Sequence, residues 1–287
     1  MAETAGDESQ IGIVLSGGGV RGVAHIGVLR ALLEAGVEPQ WVAGTSAGAL
    51  VGALYAAGRS PREILDVFLE TDPLRVTKLA FGKPGFIDSA KYVEIFSRYF
   101  PVDSFAALPR RLFVVATDLL SGEPRIFDRG PVVRAIVASA SVPMVYAPLE
   151  IDGRSYGDGG IVDNFPARLI HGYCDCLIGS HVSPLRELTP GDLGSSLAVL
   201  ERALEIGMFH KARADFALCD VVIQPADVVG ISMFDTKRMI EIEAAGYAAA
   251  KQRLPEVLQA AERAGCAAAK GPRVQAPKQE RKPGQGS

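Results

Sequence analysis

Apolar and polar positions along this chain switch between two periods. Ile11-Gly12-Ile13-Val14-Leu15 is an unbroken apolar run of the kind that fills a parallel strand covered on both faces. A glycine-rich stretch, Ser16 to Gly22, interrupts it. Apolar residues then return at Ile26, Leu29, Leu32 and Leu33, the spacing of one helix face, closed by Gly36. Trp41-Val42-Ala43 reads as a second short strand, and Ala49 to Ala57 as a second helix. Strand, helix, strand, helix predicts an α/β sheet with right-handed crossovers.

The rest of the pattern extends this sheet. Ser60-Pro61-Arg62-Glu63 is a helix start, with a serine cap, proline at the first helical position and the glutamate of a capping box; the helix runs to about Thr71. Asp88 caps a helix through Phe100, with Tyr92, Ile95, Phe96 and Tyr99 on one face. Arg111 to Thr117 is a strand, and Pro124 to Phe127 pairs beside it. Pro131 to Ala140 is a short helix stopped before Pro143. Glu150 to Tyr156 is a hairpin turning at Asp152-Gly153. Asp175 to Ser180 and Val221 to Ile223 are further strands. Long helices are expected from about Leu193 to Leu218 and from Thr236 to Ala264, the latter with a break near Pro255. Between Pro73 and Phe86 the pattern fails. Leu74, Val76, Leu79, Phe81 and Phe86 alternate there with Arg75, Lys78 and Lys83, and Gly82 and Gly85 offer hinges. For residues 74–86 two readings stand, a mobile cover touching an anionic membrane surface and an ordinary connecting loop whose apolar residues pack on the core.

Composition narrows the class. With 48% apolar and 22% charged residues in 287, the chain can bury a substantial core. A net charge of -3 gives no reason to expect nucleic acid as a partner. Residues 1–9 are polar and acidic and residues 265–287 rich in Pro, Gly, Lys, Arg and Gln, so both ends are expected to be disordered, around one domain at 10–264. The N-terminus lacks the pattern of a secretory signal, and the apolar runs are too short to span a bilayer. Cys174, Cys176, Cys219 and Cys266 form neither a zinc pattern nor a disulfide framework. The expectation is a soluble cytoplasmic protein, with at most peripheral, transient contact with the inner face of the membrane.

The candidate chemistry lies at the ends of the first strands. Gly44-Thr45-Ser46-Ala47-Gly48, between a strand and a helix, has the form of a nucleophile elbow, whose glycines permit the sharp turn that exposes the serine. Gly17 to Gly22 fits two readings. One is a dinucleotide fingerprint, which needs an acidic residue at the end of the next strand. That strand ends in Ala43-Gly44-Thr45-Ser46, and Glu38 precedes it. The other is an oxyanion hole made of glycine-loop amides, and a serine elbow at the end of the very next strand favours it. A serine needs a base. His25, His171, His181 and His210 give no triad pattern. Asp158, in Tyr156-Gly-Asp-Gly-Gly160, can take the proton directly if it lies within hydrogen-bond reach and burial raises its pKa.

Three blocks in order, Ser16-Gly-Gly-Gly-Val-Arg-Gly22, Gly44-Thr-Ser-Ala-Gly48 and Asp158-Gly-Gly160, resemble those of the patatin-like phospholipases, specifically their small bacterial members. Ala24 to Leu29, Ala138 to Pro143, Val162 to Pro166 and Ile240 to Ala250 agree with that likeness. The resemblance implies a three-layer α/β/α fold with a mainly parallel central sheet, and a Ser-Asp acyl hydrolase acting on lipid esters. Carried over, Ser46 is the nucleophile, Asp158 the general base, and Gly17, Gly18 and Gly19 the oxyanion amides. Arg21, at the basic position of that loop, and Gly22, which closes it, are grouped with the oxyanion hole, and Gly44, Gly48, Gly159 and Gly160 complete the motifs. No metal or organic cofactor is implied, and the expected partner is an acyl lipid. Plant patatins begin the loop with Asp where this chain has Ser16, so the lipid identity does not transfer. A non-catalytic adaptor on the same fold is the alternative, and the three intact motifs weigh against it.

Overall fold

The computed structural model describes residues 10–71 and 87–266. Its strands join in one eight-stranded sheet. β1 (Ile11–Leu15), β2 (Trp41–Thr45), β3 (Arg111–Asp118), β7 (Cys176–Ser180) and β8 (Val221–Ile223) run parallel in the order β8-β7-β1-β2-β3. β4 (Pro124–Phe127), β5 (Leu149–Ile151) and β6 (Arg154–Gly157) are antiparallel additions at the β3 end. The predicted hairpin is the β5–β6 turn, where Asp152 and Gly153 both take positive φ (50° and 74°), as a two-residue turn of that twist requires.

The two edges of β3 are shared out unevenly, and this fixes the site. Val114 and Val115 pair with β2 on one side and β4 on the other. β2 stops at Thr45, opposite Val115, while β3 continues to Asp118. Thr117 pairs with Pro124 of β4 and with Gly157 of β6, so β6 occupies the edge that β2 has vacated. β2 runs parallel to β3 and β6 antiparallel to it. The two strands therefore point at each other, tip to tip, along one edge of β3.

Side chains alternate across β1, and the core divides accordingly. Ile11, Ile13 and Leu15 join the larger cluster, packed under α1 (Ala24–Glu34), α2 (Ala47–Ala56), α5 (Val132–Ser139) and α7 (Met239–Arg263). Val14 faces the other way, with Phe165, Ala167, Ile170 and Ala212 of α6 (Ser196–Asp215). The result is the expected three-layer α/β/α arrangement. α1 and α7 cross at backbone contact: a Cβ on Gly27 would come within 2.0 Å of the Glu243 carbonyl oxygen, and one on Gly246 within 1.9 Å of that of Ala24. α3 (Pro61–Glu70) opens with the predicted capping box, Ser60 and Glu63 bonding each other's backbone N–H. α4 (Ser89–Ser97) ends three residues before Phe100.

α7 differs from expectation, since it runs unbroken through Pro255. Burial of Val257, Ala260 and Ala261 beyond the proline keeps the last two turns on the core. That helix closes at Gly265 (φ 73°), and Cys266 is buried, two residues past the expected boundary of the domain. The supposed cover at residues 74–86 lies outside the described residues. Among those described, no helix is long and apolar enough to cross a membrane.

Candidate active site

Ser46 sits between β2 and α2 with φ 54° and ψ -125°, a left-handed backbone that a non-glycine residue adopts only under constraint. Clearance supplies the constraint. A Cβ on Gly44 would lie 2.6 Å from the Gly48 carbonyl oxygen, and one on Gly48 would lie 2.2 Å from that of Leu15. Only glycine at both positions lets α2 press onto the ends of β1 and β2. The Ser46 N–H is tied to Ser139 Oγ (2.8 Å), and Ser139 in turn donates to the Val115 carbonyl (2.5 Å). The hydroxyl is left to point along the strand axis toward β6.

Asp158 meets it there. Ser46 Oγ donates to Asp158 Oδ2 at 2.6 Å, and Asp158 Oδ1 accepts the Gly160 N–H at 2.7 Å. The turn that carries Asp158 is fixed on three sides: Thr117 Oγ1 donates to its carbonyl (2.7 Å), its N–H donates to the Ser141 carbonyl (2.9 Å), and Gly159 lies against Val115 where a Cβ would be 2.1 Å from the carbonyl oxygen. Both side chains are almost sealed, Ser46 at 4% and Asp158 at 5% exposure. Burial pushes the Asp158 carboxyl up to about 6, against the opposing pull of its bonds from Ser46 and Gly160. It is therefore a carboxylate at neutral pH, basic enough to take a proton.

The glycine loop is only partly available. The Gly17 N–H is spent on the Asn164 carbonyl (3.2 Å) and that of Arg21 on the Gly18 carbonyl (3.3 Å). The Gly18 and Gly19 N–H groups have no acceptor among the described residues, and both glycines line a small recess with Ser46 and Asp158. Gly22 provides clearance, since a Cβ there would come within 2.4 Å of Ala47 Cβ. Bonding thus takes the Gly17 and Arg21 N–H groups out of the expected set of oxyanion donors, and Gly22 serves close packing. The Arg21 side chain is buried away from the serine. It donates to the Ile231 carbonyl (2.7 Å), to Glu201 (3.2 Å) and to Glu205, and so clamps α6 onto the loop. His25 is equally committed. Its Nε2 donates to the Ser16 carbonyl (2.8 Å), which leaves Nδ1 to accept from Ser180 Oγ (2.7 Å), and burial lowers its pKa to about 4. It braces the tips of β1 and β7 as a neutral ring.

An apolar cleft of about 870 Å³, its mouth included, reaches Ser46. Leu50, Phe68, Val137, Tyr146, Phe234 and Met239 are among its walls. Leu204 and Met208 of α6 close the recess over the dyad. Sequence reasoning quoted Ser139, Ser141 and Asn164 without giving them work, and it missed Thr117. Each acts through bonds to groups far away in the sequence, which only the folded arrangement reveals.

The sequence profile of the patatin-like phospholipases matches residues 13–171, which hold the glycine loop, the elbow and the Asp-Gly-Gly turn. The chain belongs to the patatin-like phospholipase family. It is 37% identical over 194 residues to an uncharacterized NTE family protein of Mycobacterium tuberculosis, covering 63% of this chain and 52% of that one. The neuropathy target esterase sws of Drosophila melanogaster is 32% identical over 171 residues, 57% of this chain and 12% of that one. This chain thus spans about half the length of the mycobacterial relative and a far smaller part of the insect one. Among solved structures, VipD from Legionella pneumophila matches with a TM-score of 0.58 over 87% of this chain and 67% of that one, at 14% identity, a likeness of fold.

Proposed function

We propose that this member of the family is a serine acyl hydrolase of lipid esters, with Ser46 as nucleophile and Asp158 as general base. The observation that carries the reading is the 2.6 Å bond from Ser46 Oγ to a buried carboxylate of raised pKa at the end of an apolar cleft. Ser46 Oγ attacks the ester carbonyl carbon while its proton passes to Asp158 Oδ2. The carbonyl oxygen takes the charge and is held by the Gly18 and Gly19 N–H groups, with the start of the following helical turn adding positive potential. Collapse breaks the ester C–O bond, and the leaving alcohol takes its proton from Asp158. In the second half Asp158 accepts a proton from water, the resulting hydroxide attacks the acyl carbon, and Ser46 departs with that proton as the fatty acid leaves. The acyl chain occupies the cleft, since its walls offer little to a polar group. Transient contact with a membrane surface delivers the lipid.

A fluorophosphonate probe tests this. Labelling of the wild type and none of Ser46→Ala supports the enzyme. A folded wild type that neither labels nor hydrolyses any of a graded panel of acyl esters points to an adaptor instead.

A further inference from the structure

Asn164 is fully buried, and neither its Oδ1 nor its Nδ2 has a hydrogen-bond partner. Few residues keep both ends of a carboxamide unpaired in a protein interior, because the lost hydration is not replaced. Its backbone is firmly placed. The Asn164 carbonyl accepts the Gly17 N–H (3.2 Å), the preceding Asp163 carbonyl accepts the Thr45 hydroxyl (2.9 Å), and the Asp163 carboxylate accepts the Phe165 N–H (3.1 Å). The segment is stitched to both the glycine loop and the elbow strand.

The carboxamide lies beside both members of the dyad, behind their direct bond. A Cβ built on Gly17 would lie 2.4 Å from Asn164 Oδ1 and 3.2 Å from Ser46 Cβ. One built on Gly160 would lie 2.9 Å from Asn164 Oδ1 and 3.0 Å from Asp158 Oδ1. Glycine at both positions makes the space that the amide fills. A half-turn about χ2 exchanges Oδ1 and Nδ2 without changing the outline of the group. Asp158 Oδ1 accepts one bond, from Gly160, and a carboxylate oxygen can accept a second.

We propose that Asn164 is a positioning residue of the dyad, whose Nδ2–H donates to Asp158 Oδ1 in the reacting enzyme and holds the carboxylate ionised and aligned on Ser46. The proposal rests on the Ser46–Asp158 reading above. Such bonds tighten when substrate closes the site. Among the described residues, the hydrogen bonds to Asp158 and its turn come from groups other than Asn164. Ser46 reaches it from the elbow and Gly160 from its own turn, Thr117 and Ser141 bond its backbone, and Leu204 and Met208 cover the recess from α6. Of the charged groups on that side, Lys211 of α6 is bound to the Ile161 and Val162 carbonyls (3.0 and 3.3 Å), and Asp163 is turned to Phe165.

The test is the pH dependence of kcat, which reports the substrate-bound enzyme, on a saturating short soluble ester for the wild type, Asn164→Leu, which fills the space without a donor, and Asn164→Ala. Losing a donor to the carboxylate raises its pKa. The acid limb should therefore move up by about one pH unit in both variants, with kcat reduced about tenfold or more while KM changes little. Asn164→Gln, which keeps a donor on a longer arm, should recover part of the shift. An acid limb left in place in whichever of the Leu and Ala variants folds reduces Asn164 to a space-filler, whatever happens to Tm. Fluorophosphonate labelling of Ser46 is run beside it. A wild type that fails to label defeats the dyad reading itself, whereas labelled variants with an unmoved limb defeat only the role of Asn164.

Discussion

Asp158→Asn should make the protein more stable and nearly inactive, and the gain in stability should depend on pH. The carboxyl has a folded-state pKa of about 6 against an ordinary 3.8, so the folded state binds its proton more tightly than the unfolded chain. That preference stabilises the fold in acid and is lost as pH rises from 3.8 through 6. At pH 8 the wild type bears the full cost, about two pKa units at about 1.36 kcal/mol each, or about 3 kcal/mol. At pH 4 the same linkage leaves about 0.5 kcal/mol. Asparagine escapes this cost and fits the site. Its Oδ1 can still accept the Gly160 N–H, and its amide can donate to Ser46 Oγ, which serves as donor or acceptor. For a chain of this size the difference corresponds to a Tm rise of roughly 6–12 °C at pH 8, shrinking to a degree or two at pH 4. Turnover should fall by about a hundredfold or more, because an amide cannot take the serine proton. Calorimetry of both proteins across pH 4 to 8, with ester hydrolysis alongside, decides it. A Tm difference independent of pH would refute the buried, proton-loving carboxylate, and near-normal turnover would refute its role as base.

Other consequences are as direct. In the wild type kcat/KM should fall about tenfold per pH unit below about 6, as Asp158 takes up its proton. Ser46→Gly and Ser46→Ala should both abolish hydrolysis and lose the bond to Asp158, but the glycine variant should be about 1 kcal/mol the more stable of the two, since it alone relieves a positive φ; urea titration separates them. Arg21→Ala leaves Glu205 to Arg202 and Glu201 to Ser232 and the Met233 N–H, and should cost about 2–3 kcal/mol by the same titration, while the pH profile of the folded fraction keeps its acid limb. Gly246→Val should prevent α7 from seating on α1 and leave little soluble protein, measured as yield and cooperativity of melting.

The parallel strands, the capping box at Ser60 and the Asp152-Gly153 hairpin were all legible because each is a local pattern, a burial period or a turn preference. Ser46 and Asp158 were legible for a related reason: glycine must flank both, and glycine leaves a mark in the sequence. What the sequence could not yield is which backbone groups are already spoken for. Gly17 and Gly18 are adjacent and chemically identical, yet one N–H is consumed by Asn164 and the other is not. Arg21 carries a charge in a loop that needs positive potential, but its partners on α6 lie some 180 residues away. Pro255 signals a helix break, and packing beyond it overrides the signal.

The tip-to-tip meeting of β2 and β6 on β3 also sets when Ser46 and Asp158 come together. Ser46 and Asp158 are 112 residues apart, and the parallel strands that carry the serine can assemble without the hairpin that carries the acid. A nascent or partly refolded chain can therefore hold a complete elbow and still be chemically silent. Ser46 gains its carboxylate partner only when the β5–β6 hairpin docks on the last two residues of β3. Recovery of esterase activity during refolding should lag the fluorescence change of Trp41, which reports β2 and its aromatic stack with Phe113 and Tyr173. On the proposed reading, esterase activity cannot appear before the fold is finished.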